Sequence, residues 1–232
     1  MTLNRPSMPP CPAGLAKVLL QYCPTTGTPG RESRIVAGTR ARSERPPSDI
    51  PLRWSGGAEA IWRRTVAIAG TIGEVYLRSR YCLTPPADGD LRFLPGHRAN
   101  PPCLVAKITD FVTNEPMSLH STKLKLDGSD KAGTERDKVL LRGRQKKGGV
   151  IRLWPDEAVT MSLALAEGIE TALSGAHLHQ PVWAAVDAGN LADLPVVSGI
   201  EVLIICADND PTGVNRRPTL TRGGMRRKSW TG

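Results

Sequence analysis

Three carboxylates carry the most specific chemical signal in this 232-residue chain. Glu167 ends the apolar run Leu163–Glu167 and is followed at once by Gly168. Asp208 and Asp210 follow a second run, Val202–Ala207, and lead into Pro211 and Gly213. Short apolar runs that stop in an acid at a Gly- or Pro-marked turn look like buried parallel strands delivering side chains to the carboxyl edge of an α/β sheet. A two-residue spacing puts Asp208 and Asp210 on one side while the chain stays extended. Converging carboxylates repel one another unless a cation neutralises them, and an all-oxygen set suits a hard divalent ion, Mg²⁺ above all. Each residue alone has a plainer reading. Glu167 and Glu170 could simply favour a helix dipole, and Asp-Asn-Asp-Pro is good turn chemistry. Receiver domains and many phosphatases also place acids at such strand ends. Asp187 ends a strand expected farther from the pair, and His177 and His179 lie two apart on a helix, facing different ways.

These acids need elements to position them. Leu163–Glu167, Val182–Val186 and Val202–Ala207 read as three strands, with a helix over Ile169–Leu178 and a short helical connection at Asn190–Leu194. With right-handed crossovers the first and third strands can lie side by side, so that Glu167 and Asp208 meet at the crevice where the connections diverge. Upstream, apolar spacing predicts a helix over Gly57–Ala69, broken by Gly70–Gly73, and a second one over Glu74–Arg80. Leu91–Leu94, Cys103–Val112, Met117–Leu126 and Val150–Trp154 read as strands of a small, largely antiparallel sheet, with a hairpin turn at Asn114-Glu115-Pro116.

The words AEGIETALS, PVWAAVDAGNLADLP and IICADNDPTG, with Glu-Gly about forty residues before Asp-x-Asp-x-x-Gly, resemble the Toprim domain. That domain is shared by DNA primases, type IA and II topoisomerases and some nucleases. The wording is most similar to the primase-like Toprim proteins of plasmids, phages and mobile elements. YLRSR, LRFLPG and LHSTKLKLDGSDKAG resemble the domain that precedes Toprim there, and the likeness runs over Gly57–Gly213. It implies an α/β fold: a partial Toprim domain, a Rossmann-like parallel sheet, over residues 156–213, behind a basic α+β domain at 57–155. Residues 1–56 are expected to be disordered or of low complexity, and 214–232 a basic irregular tail. The resemblance further implies Mg²⁺ on Asp208 and Asp210, with Glu167 as general acid or base or as a further ligand. It also implies nucleotidyl or phosphoryl transfer on single-stranded DNA, nucleoside triphosphates as substrates and a replicative helicase as partner. A Toprim-type nuclease would use the same acids to activate water, and a non-catalytic nucleic-acid-binding fragment is the reading from another class. None of Tyr22, Tyr76 and Tyr81 sits in anything like a topoisomerase cleavage domain.

Charge divides along the chain. Residues 1–50 hold seven Lys and Arg against three acids, and 51–150 hold seventeen against ten. Residues 151–213 reverse this with one against nine, and 214–232 hold six against none. A basic block beside an acidic one suits an enzyme that grips phosphates with one half and a metal ion with the other. The candidate nucleic-acid contacts are Arg78, Arg80, Lys123, Lys125, Lys131, Arg144, Lys146 and Lys147, the alternative being a solvated basic face. His120 reads as a structural or surface histidine. The five cysteines are scattered without zinc-ligand spacing, so a zinc module of the kind such primases often carry is not expected. No signal peptide or 18-residue apolar run occurs, which places the expected location in the cytoplasm.

The last nineteen residues hold a Pro, a Gly pair and no sustained apolar period. They cannot form the long amphipathic helix expected to cover the sheet beside Ile204 and Cys206. A C-terminally truncated relative, produced by a frameshift or gene break, is the expectation that follows. Residues 15–20 are expected to form at most a short helix.

Overall fold

The computed structural model describes residues 17–22, 56–97, 100–141, 146–194, 200–207, 218–221 and 224–227. Two sheets organise them. The upstream sheet is built from β2 (Leu91–Leu94), β3 (Cys103–Asp110), β4 (Pro116–Lys123) and β5 (Lys138–Leu140) in that spatial order, all antiparallel. The two-residue β6 (Gly149–Val150) pairs with the far end of β3. Alternation along β3 separates two apolar faces. Val105 and Leu119 pack on one side against Ala58, Ile61 and Trp62 of α1 (Gly56–Arg63). Leu104, Ala106 and Ile108 face the other side, toward Tyr76 and Leu77 of α2 (Ile72–Ser79).

Local chemistry explains where these elements stop. The first helix was expected to run to Ala69 but ends at Arg63, because Val66 leaves it to exchange two backbone hydrogen bonds with Phe93, at 2.7 and 2.9 Å. Those bonds extend the edge of the sheet, and a non-local pairing of this kind overrides helical spacing. In α2 the Thr71 hydroxyl accepts from Gly73 N–H at 3.1 Å, and the Glu74 carboxylate accepts from Gly70 N–H at 2.7 Å. The first bond satisfies one of the orphan donors at the helix start, and the second ties the turn ahead of the cap to the first turn of the helix. The expected hairpin at 114–116 is present. Asp110 Oδ1 accepts from the backbone N–H groups of Val112 and Thr113, both at 2.9 Å, and Asn114 takes a left-handed φ of 59°.

The second sheet has the order β1 (Lys17–Tyr22), β9 (Val202–Ala207), β7 (Ser162–Ala166), β8 (Val182–Ala184). β7 is parallel to both neighbours, while β1 runs antiparallel to β9. Residues 17–22 are thus a strand, where at most a short helix was expected. The α3 helix (Ile169–Gly175) covers one face, resting on Ala164, Ala166, Ile204 and Cys206, and Gly175 brings it close to Cys206. The face beside Ile204 and Cys206, expected to lie bare, is therefore covered by α3, with those side chains 4% and 1% exposed. On the opposite face Leu191 of α4 (Ala188–Asp193) and Leu194 pack against Leu163, Leu165, Leu203 and Ile205. The tail, expected to be irregular, contains a hairpin of β10 (Pro218–Thr221) and β11 (Gly224–Arg227) whose backbone approaches α4.

A single residue stitches the sheets together. The strand expected over Val150–Trp154 is reduced to β6, and the next residue, Ile151, exchanges backbone hydrogen bonds with Ala184 of β8 at 2.8 and 3.0 Å. The neighbouring Arg152 is buried. Its guanidinium donates to Asp156, Thr109 and the carbonyls of Asp110 and Phe111, and lies over the Trp183 ring at 4.7 Å. One apolar core consequently runs from Tyr76 and Leu104 through Ile151 to Ala184 and Cys206.

Candidate active site at the carboxyl edge of the parallel sheet

Parallel register determines what shares this edge. Ala166 stands level with Ala184 of β8 and with Cys206 of β9. Glu167 therefore leaves the sheet at the level of Ala207, the last residue of β9. The β7-to-β8 connection carries α3 on one face and the β8-to-β9 connection carries α4 on the other, so the strand order reverses between β7 and β9. A reversal of this kind opens a crevice at the carboxyl ends, the usual ligand position in open α/β sheets. Asp208 and Asp210 follow directly and lie outside the described residues, as does Arg144. Among the described residues no three His, Cys, Asp or Glu are grouped so as to hold a metal ion. The described chain supplies one carboxylate beside the end of the strand that leads into the other two. An oxygen donor set of that composition fits Mg²⁺.

Glu170 has a larger place in the site than a first-turn acid would suggest. Gly168, the residue ahead of α3, makes no side-chain cap. The Glu170 carboxylate instead gathers groups from the upstream half of the chain. It accepts a short hydrogen bond from the Tyr76 hydroxyl of α2. Lys131 Nζ lies 3.1 Å from one oxygen and 3.3 Å from the other, and an Arg80 guanidinium nitrogen stands at 3.9 Å. Burial alone would raise this carboxyl, but the Tyr76 hydrogen bond together with Lys138 and Lys131 outweighs it and holds the group below the usual range. Tyr76 moves the opposite way: burial first, then the bond to Glu170, pushes its phenol well above the ordinary value. Both shifts describe one state, a neutral phenol donating to an ionised carboxylate.

These groups border a small open cleft between the two sheets. Tyr76, His120, Thr122 and Lys138 come from the upstream half, Gly168 and Glu170 from the turn after β7 and the start of α3, and Val186 from just beyond β8. Val186 holds a φ of 71°. That left-handed conformation costs a β-branched residue on the order of 1–3 kcal/mol, the kind of strain that gathers at binding sites. His120 is driven down to about 4 by burial and then by Lys138, with Glu170 opposing, so the ring is neutral near pH 7.

Asp187 serves the edge differently. Its carboxylate accepts from Asn190 N–H at 2.9 Å, capping α4, and lies 2.8 Å from Lys146 Nζ. Burial would raise it, but the Lys146 and Asn190 interactions hold it below the usual range. The Asn190 amide donates to the carbonyls of Lys146 and Gly149 and accepts from Gly148 N–H, fastening the cationic connection to α4.

The cations expected to meet nucleic acid thus divide. Arg80, Lys131 and Lys146 approach acids of the downstream half, and Arg78 pairs with Glu74 at 2.7 Å on the surface of α2. Lys125 and Lys147 are exposed, and Lys123 is half-buried at the end of β4. Lys138, absent from the expected set, lines the cleft. Its only sequence signal is cationic charge in the same basic block.

Residues 53–153 match a domain of unknown function, DUF7146, and residues 162–222 match the Toprim domain. No curated protein and no solved structure matches the chain significantly. The Toprim match supports metal-dependent work on nucleic acid. Glu167, Glu170 and the parallel strands β7, β8 and β9 that set the site all lie within the stretch that matches the Toprim domain.

Proposed function

We propose that the chain is a primase-like Toprim protein of a mobile element that extends or synthesises strands on single-stranded DNA from nucleoside triphosphates. The observation that carries this is the register placing Glu167 beside the end of β9 within the Toprim match. Glu167, Asp208 and Asp210 would hold Mg²⁺, which when bound supplies charge stabilisation at the phosphoryl group and acidifies the attacking hydroxyl. Glu167 acts as the general acid or base, or shares the ion. Lys123, Lys125 and Lys147 stand exposed or half-exposed on the basic domain and grip the template phosphates, and Arg78, Arg80, Lys131, Arg144 and Lys146 add to the positive field around them. A replicative helicase is the expected partner.

Incubation with single-stranded DNA, nucleoside triphosphates and Mg²⁺ tests the proposal. Primer synthesis is expected, falling roughly 10²–10⁴-fold in Glu167→Gln and also in Asp208→Asn. Synthesis that survives both substitutions would refute these roles. Strand cleavage in place of synthesis would favour the nuclease, and salt-sensitive binding without turnover a non-catalytic nucleic-acid-binding protein.

A further inference from the structure

The face of the upstream sheet that looks toward α3 carries polar groups the fold does not require. Ser118, His120 and Thr122 stand opposite Ile108, Ala106 and Leu104 in the β3–β4 register, so all six share that otherwise apolar face. Ser118 and Thr122 are only 0% and 5% exposed. Ser118 Oγ and His120 Nδ1 are buried without a hydrogen-bond partner among the described residues. Each such atom costs about 1–3 kcal/mol, so a polar stripe here calls for an explanation other than packing.

Charge narrows what the stripe can receive. Lys131 and Arg80 are drawn to Glu170, and Lys146 to Asp187. Lys138 stands across from Thr122 in the β4–β5 register and lines the same cleft as His120, Thr122 and Gly168. It feels the charge of Glu170 but is in ion-pair contact with no acid among the described residues. Lys138 shares the field of Glu170 with Lys131 and Arg80, so three cations gather around this one carboxylate and the cleft keeps a net positive charge. Leu77, Leu104 and Ile151 form the apolar wall of the cleft.

We infer that this cleft is a phosphate subsite, in which Lys138 supplies the charge and Thr122 and His120 the hydrogen bonds. Its ligand is one phosphate group, of a nucleoside triphosphate or of a nucleic-acid backbone, held one residue from Glu167 by the turn at Gly168. The inference rests on the phosphoryl-transfer reading for what brings a phosphate there, but binding can be read without turnover. His120 is the reporter. Lys138 of β5 and Lys146 lower its proton affinity and Glu170 of α3 raises it, so an arriving phosphate adds a second negative neighbour.

The experiment follows the ring protons of the four histidines against pH in the full chain, in EDTA, with His120 assigned through His120→Gln. Three probes are compared: pyrophosphate, ATP and oligothymidylate. Pyrophosphate or ATP is expected to raise the His120 midpoint by at least about one pH unit. Lys138→Ala, a change at an exposed position, should weaken that binding about tenfold or more. A response to ATP but not to oligothymidylate identifies an incoming nucleotide, and the reverse identifies a backbone phosphate. An unmoved His120 with all three probes, or equal affinity in Lys138→Ala, overturns the subsite. If the midpoint moves while primer synthesis is absent, the subsite stands and the enzymatic reading falls.

Discussion

Replacing Glu170 by Gln takes away the charge that Tyr76, Lys131 and Arg80 share and leaves the half-buried Lys131 ammonium without its counterion. A loss of about 1–3 kcal/mol is expected in urea unfolding at neutral pH, with Tyr76→Phe costing about 1 kcal/mol. The pH dependence has a definite sign. Glu170 is held below its ordinary range, so its contribution is present above that range and lost as pH falls through the folded value. His120 sits at about 4 when folded against 6.5 when free, so the unfolded chain binds the extra proton between those values. The stability that goes with a neutral ring is complete above 6.5 and declines by up to about 3 kcal/mol as pH falls to 4. The chain should be acid-labile from both groups. In His120→Gln the stability curve should flatten between pH 6.5 and 4, and in Glu170→Gln the flattening should come lower. Neither side chain's role could be read from its neighbours in sequence: Glu170 meets partners 94 and 39 residues away.

At the scale of elements, α3 can lie close to β9 because small residues meet there. A Cβ on Gly175 would come within 2.8 Å of Cys206 Sγ. Gly175→Ala is expected to destabilise by about 1–3 kcal/mol, and Cys206→Ala to recover part of that in a double-mutant cycle. Apolar runs such as Leu91–Leu94 and Val202–Ala207 were legible as strands to their last residue, because turn residues bound them and burial makes them continuous. Elements created by distant pairing were not. The three residues of β5 are too few to show a period and exist through their pairing with His120, Ser121 and Thr122. The run at 17–22 is a short apolar stretch that periodicity alone cannot assign to strand or helix, and β9 decides it. At the site, the strands that end ahead of Glu167 and Asp208 were legible from their apolar runs. The cleft was not, because His120, Thr122 and Lys138 acquire meaning only once β4 and β5 face α3.

Across the whole molecule, the backbone bonds of Ile151 to Ala184 and the continuous core argue against two independently melting halves. Calorimetry is expected to show one transition for the two sheets, with calorimetric and van't Hoff enthalpies in agreement. Ile151 is 1% exposed, and Ile151→Ala should lower stability by about 2–5 kcal/mol while keeping a single transition. Two separated transitions would show that the stitch is ornamental.

The antiparallel partnership of Lys17 with Ala207 also has a consequence in time. A ribosome adding roughly 5–20 residues per second finishes β1 long before β9 exists, and the two are 190 positions apart. For about 10–40 seconds the nascent β1 must wait unpaired while the upstream sheet is already free to assemble. The strand that leads into Asp208 is therefore clamped late relative to β1, and that side of the sheet is completed only after β9 has been made.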